Sequence, residues 1–109
     1  MEVKTFTVYR GTEILNRPNG WEGIAVTLSF DDVVDTVDGV KIVKAGAPID
    51  ADGKTTTSGA VGILLSDVFE GRPIGTILKK AYINKKRLTE HYGSDISDAL
   101  SDLPMIVLE

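Results

Sequence analysis

A single histidine, no cysteine and 16 carboxylates are the groups from which chemistry would have to be built in this chain of 109 residues. Nucleophilic catalysis needs a base within hydrogen-bond reach of the nucleophile, and His91 is the one imidazole available. It lies in TEHYG, where a histidine near a helix C-terminus is a favourable partner of the helix dipole. Neither Ser58 nor Ser66 stands in a G-x-S-x-G elbow, so no serine hydrolase is indicated. The absence of cysteine removes disulfides, thiolate catalysis and Cys-based zinc sites together.

Asp50-Ala51-Asp52-Gly53 is similar to the opening of a calcium loop, which needs oxygen donors at alternate positions and a glutamate at the twelfth. The twelfth position is Val61, and a hairpin turn explains the same residues. Asp31, Asp32, Asp35 and Asp38 could gather a hard cation. A solvated acidic edge that discourages strand pairing is the reading preferred for them. Ser58-Gly59-Ala60-Val61-Gly62 feeds an apolar strand, whereas a phosphate cradle feeds a helix N-terminus. The expectation is a non-enzymatic protein without cofactor or metal. Lys79, Lys80, Lys85, Lys86 and Arg87 put five cations in nine residues, either as a solvated face or as a surface for an acidic protein partner. Trp21, in a Gly-rich loop, is either a small core plug or an interface anchor.

The elements that must position these residues are mostly strands. VKTFTVY, residues 3 to 9, is rich in β-formers, although neither of its alternating faces is purely apolar. Residues 10 to 23 hold three glycines, Pro18 and two asparagines, and are expected to form a turn-rich loop, so that residues 1 to 23 make a mobile N-terminal arm and 24 to 109 a single β-rich domain. IAVTLSF sets Ile24, Val26, Leu28 and Phe30 on one face of a half-buried strand. Asp38-Gly39 marks a turn into a strand over Val40 to Lys44. Pro48-Ile49-Asp50 reads as a short edge strand, Asp52-Gly53 as a tight turn, and Ala60 to Leu65 as a strand covered on both faces, with Gly62 marking a bulge or a close backbone approach.

Gly71-Arg72-Pro73 turns the chain into a long strand over Ile74 to Ile83, with Ile77, Lys79, Ala81 and Ile83 expected on one face. Asn84 is a helix N-cap candidate for Lys85 to Tyr92, which Gly93 would stop. Ile96, Ala99, Leu100 and Leu103 recur at helical spacing over Asp95 to Leu103, and Pro104 ends that second helix. Met105 to Leu108 closes the chain as a strand. The fold class is therefore mainly β, with two short helices near the C-terminus.

An apolar fraction of 42% with 26% charged residues belongs to an ordinary globular domain. The formal charge of −4 makes nucleic acid an unexpected partner, and no apolar run approaches the roughly 20 residues of a membrane helix.

The order of these signals, KTFTVY, a Gly/Pro arm, GAPIDADGK, AVGILLSDV, a further strand and an apolar C-terminal strand, resembles the head decoration proteins of tailed bacteriophages, the lambda protein D-like capsid stabilisers. The resemblance spans essentially the whole chain and is most specific over residues 46 to 64. It implies a β-clip-like small barrel or sandwich without an enzyme site, located on the capsid exterior of the virion. It also implies a homotrimer whose arm adds a strand to the major capsid protein. Carried onto this sequence, the capsid-binding residues would be Lys4, Thr5, Phe6, Thr7, Val8 and Tyr9, with Trp21 as an anchor. A head-fibre base, a tail-associated module and a small β-barrel ligand-binding domain are the alternatives.

Overall fold

Ile74–Ile83 is dominated by branched and aliphatic residues, and in the computed structural model of the chain this ten-residue strand is the spine against which three others pair. The structure describes residues 14–17, 19–56, 58–93 and 96–109, so the strand expected over residues 3 to 9 lies outside the described residues. The elements in chain order are β1 (Glu22–Thr27), β2 (Thr36–Val37), β3 (Val40–Val43), β4 (Pro48–Ile49), β5 (Gly62–Leu64), β6 (Val68–Phe69), β7 (Ile74–Ile83), helix α1 (Lys85–Tyr92), a 3-10 helix (Ser97–Asp102) and β8 (Ile106–Leu108). A five-stranded sheet runs β1-β7-β5-β4 and is antiparallel throughout that path, while β8 joins β7 in parallel. A second antiparallel sheet runs β2-β3-β6. The protein is mainly β.

The pairing of β1 with β7 slips by one residue: Glu22 lies opposite Lys80, but Gly23 lies opposite Leu78. Lys79 is thus the extra residue of a β-bulge, and every side chain beyond it changes face. The expected face of Ile77, Lys79, Ala81 and Ile83 is corrected accordingly. Ile77 packs with Leu28, Phe30, Ile49, Leu64 and Val68, whereas Ala81 and Ile83 share the other core with Leu78. Lys79 itself is exposed.

That other core lies under α1 and the 3-10 helix, and includes Ile63, Leu88, Ile96, Leu103 and Ile106. Each fully buried Leu or Ile contributes roughly 1.5–3 kcal/mol of transfer free energy. Asn84 caps α1 as its type predicts, its Oδ1 accepting the Arg87 N–H at 2.9 Å, and Gly93 ends it in the left-handed region. Asp95 to Leu103 differs from expectation: Ile96, Ala99 and Leu103 are buried as their spacing requires, yet the segment winds as a 3-10 helix over Ser97–Asp102. With no side-chain cap at Ile96 and Pro104 close behind, the six residues favour the tighter winding found in short helical pieces.

Ile24 is a second correction, being 47% exposed although it alternates with Val26, Leu28 and Phe30. β1 is the last strand of its sheet, and the core it faces ends at Val26. Two apolar residues of the turn-rich stretch are core instead: Ile14 is wholly buried, and Leu15, 6% exposed, bridges Ile83. The Asn16 N–H donates to the Tyr82 carbonyl and the Asn84 N–H to the Ile14 carbonyl, each at 2.7 Å. The last residues of β7 therefore have Ile14–Asn16 on one edge and β8 on the other.

β4 and β5 form one hairpin, with Pro48 opposite Ile63 and Ile49 opposite Gly62. Gly62 does mark a close approach, since a Cβ there would lie 2.9 Å from the Leu78 carbonyl oxygen. In the turn after β4, Asp50 Oδ1 accepts the N–H groups of Asp52 and Lys54, which is a self-bonded turn and makes the calcium reading unnecessary. Gly53 then presses on the chain leaving β1: its carbonyl accepts the Ser29 N–H at 2.9 Å. Gly53 has φ +81°, and a Cβ would meet the Thr27 carbonyl oxygen and, at 3.2 Å, the Leu28 Cα. Gly53→Ala should lower stability by about 2–4 kcal/mol through backbone strain plus overlap. Gly59→Ala, also at positive φ but facing open space, should cost about 1 kcal/mol. Urea unfolding midpoints of the two variants check the difference.

Candidate functional site

Asp67 is the residue on which three segments converge. Its Oδ1 accepts the backbone N–H of Ala45 at 2.8 Å and meets His91 Nε2 at 2.7 Å. His91 stands in the last turn of α1, where the sequence places it, but its partner is this carboxylate as well as the helix dipole. A His–Asp pair is half of an acid–base constellation, and the missing half is a nucleophile: among the described residues no hydroxyl bonds His91. Through these bonds the pair joins the turn after β3, the segment entering β6 and the end of α1.

Asp32 and Asp35 line a small cavity of about 150 Å³ with Val33, Val34, Lys44, Thr55 and Tyr92. Burial, reinforced by the Asp35 carboxylate, raises the Tyr92 hydroxyl above its ordinary pKa. Asp32 lies 3.7 Å from Lys54 Nζ, an exposed pair of little energetic weight. Among the described residues no three His, Cys, Asp or Glu side chains gather as a metal would require. Asp31, Asp32, Asp35 and Asp38 are all exposed around the short β2 edge.

Glu109 forms the second polar junction. Arg17 donates Nη2 to Oε2 at 2.6 Å and Nε to Oε1 at 3.1 Å, while Asn16 Nδ2 donates to Oε1 at 2.8 Å. Arg17 also lies over the Tyr82 ring, 4.2 Å from its centre. The Asn16 hydrogen bond and the Arg17 guanidinium hold the exposed Glu109 carboxyl below its ordinary range against a smaller opposing effect of desolvation. No local sequence signal joins residues more than 90 positions apart; the Ile14-Leu15 pair before them was the readable hint.

The residues expected to bind a partner are distributed unevenly. Lys4, Thr5, Phe6, Thr7, Val8 and Tyr9 lie outside the described residues. Trp21 is 38% exposed, immediately before β1, and is not among the buried core. Ile24 stands three residues further along the same terminal strand. Val40, Phe69 and Ile74, all exposed, line an open groove with Ser66, Asp67 and Arg72. Lys79, Lys85, Lys86 and Arg87 are exposed where β7 passes into α1. No family model, curated protein or solved structure matches this chain.

Two measurements test the polar junctions. Asp67→Ala should cost about 1–2 kcal/mol, because the buried Ala45 N–H loses its acceptor, and His91→Ala should cost less because the half-exposed ring leaves no buried group unpaired. In carboxyl titration by NMR, Glu109 should titrate below the ordinary glutamate range. Its contribution is present above the unfolded-state pKa and disappears as pH falls through the folded-state value. Asn16→Ala should move that midpoint back upward.

Proposed function

We propose that this chain is a head decoration protein of a tailed bacteriophage, which binds the major capsid protein on the outside of the expanded shell and stabilises it against internal DNA pressure. The observation that carries the reading is the sequence order from KTFTVY through GAPIDADGK to AVGILLSDV, of which the last two segments form the β4–β5 hairpin. The mainly β architecture is compatible with the β-clip-like fold of that family, and the reading assigns the protein no enzyme activity, cofactor, nucleic acid or membrane partner. On the shell it is a homotrimer.

The mechanism is strand addition followed by mass action. Residues 4 to 9 alternate without a purely apolar face, which suits a strand that completes a partner's sheet through main-chain hydrogen bonds and places alternate side chains in its pockets. The chain following that strand is held at Ile14 and Leu15. A bound strand would thereby be tethered to the globule through core contacts. Trp21, half-exposed beside β1, supplies an aromatic anchor of the kind that dominates interfaces. A protein that binds only the expanded lattice shifts the equilibrium toward that lattice in proportion to its occupancy.

The burial of Ile14 decides where a truncation can be made. Removal of residues 1 to 13 keeps the buried Ile14 and Leu15, whereas a cut at residue 20 would strip both. In co-sedimentation with empty phage shells, the full chain should saturate expanded shells near one copy per capsid subunit and leave unexpanded shells bare. The variant lacking residues 1 to 13 should bind at least about tenfold more weakly, since it loses the added strand. Equal binding by the two proteins would overturn the strand-addition mechanism, and absence of binding to either shell would overturn the decoration reading. Saturation far below one copy per subunit would assign the protein to a head-fibre base.

A further inference from the structure

The four lysines Lys79, Lys80, Lys85 and Lys86 have no described carboxylate as a partner. Stability gives no reason for their placement. The first turn of α1 holds no acidic residue, and cations there oppose the positive end of the helix dipole. Together with Arg87 they concentrate five of the chain's 12 cations in nine residues, leaving seven against 16 carboxylates elsewhere. The bulge adds to this concentration by turning Lys79 outward between the buried Leu78 and the half-buried Lys80.

Lys79 also lines a groove of about 300 Å³, located where β5 and β8 begin. Its other walls are Ala60, Val61, Leu103, Pro104 and Met105. Met105 is 54% exposed, and its flexible thioether side chain can repack around an apolar group. Asp102, at the same groove, has its Oδ2 occupied by the Gly59 N–H at 2.8 Å. An apolar trough with one lysine in its wall, at the head of a run of further cations, has a definite complement.

We infer that the Lys79–Lys86 ridge and the Met105 groove form a second binding surface, for an extended protein segment in which acidic residues flank an apolar one. The apolar side chain enters the groove against Val61 and Met105, and the flanking carboxylates reach the lysines. Nucleic acid is a poorer complement, because a polyanion extending beyond the ridge meets the net negative remainder of the chain and cannot use an apolar trough. This surface is built from residues 60 to 105 and does not depend on the decoration reading.

The test uses the full chain and a fluorescently labelled peptide of alternating Glu and Leu, with an oligothymidylate of equal charge as the contrasting probe. The peptide should bind saturably at low salt and lose affinity as salt rises, as charge-steered association does. Binding should weaken about tenfold or more in Lys79→Ser/Lys85→Ser/Lys86→Ser, in keeping with the loss of several charge contacts. Met105→Ser should weaken it independently, and deletion of residues 1 to 13 should leave it unchanged. All substituted positions are exposed, and thermal melts of the variants verify that they fold. Failure of the peptide to saturate, or undiminished affinity in the lysine variant, would overturn the inference. So would oligothymidylate binding as tight as the peptide's together with no effect of Met105→Ser. Because no shell is present in the assay, its failure leaves the co-sedimentation result untouched.

Discussion

One residue too many in β7 organises this molecule. A strand buried on both faces must alternate without error, and uninterrupted alternation from Ile77 would carry Lys79 into the same interior as Ala81 and Ile83. An unpaired ammonium in such a place would cost several kcal/mol. The bulge at Lys79 puts the charge in solvent and hands Ala81 and Ile83 to the core that Leu78 already faces. The same strand can therefore serve one core near Ile77 and another toward its C-terminal end.

β5 and β7 contribute to both interiors, and specific contacts add to them. Tyr92 packs against both, with a hydroxyl whose pKa is raised by burial and by Asp35. Asp67 ties the end of α1 to the Ala45 turn, and the Gly53 carbonyl connects the turn after β4 to the chain beyond β1. Two of these contacts, at the Ala45 and Ser29 N–H groups, satisfy backbone donors that would otherwise be left without a partner. They give the polar residues most suggestive of chemistry a structural employment.

What remains on the outside is partly apolar and, in one region, densely cationic. Exposed apolar residues include Trp21 and Ile24 at β1, Val34 and Val37 near β2, the groove of Val40, Phe69 and Ile74, and Met105 and Val107 at β8, while cations collect at the junction of β7 and α1. A protein that acts by attachment needs surfaces of this sort, and it needs the connection from its binding strand to its core to bear load. Ile14 and Leu15, anchored along the edge of β7, provide that connection on the proposed reading.

Local signals in the sequence determined much of the secondary structure. The limits of β7 follow from the Gly71-Arg72-Pro73 turn and the Asn84 cap, α1 ends at Gly93, and the Asp52-Gly53 turn forms where its residue types demand. Such features depend on backbone preferences and on bonds between residues a few positions apart, which are written in consecutive letters. Tertiary structure alone decided the bulge at Lys79, the exposure of Ile24, the burial of Ile14 and Leu15, and the meeting of Asp67 with His91 and of Arg17 with Glu109. Periodicity states that a strand has two faces; which face is covered, and where the cover stops, depends on elements far away in the chain. Alternation at Ile24 continues past the end of the core for that reason, and an isolated apolar pair in a turn-rich segment acquires its role only when β7 offers it an edge.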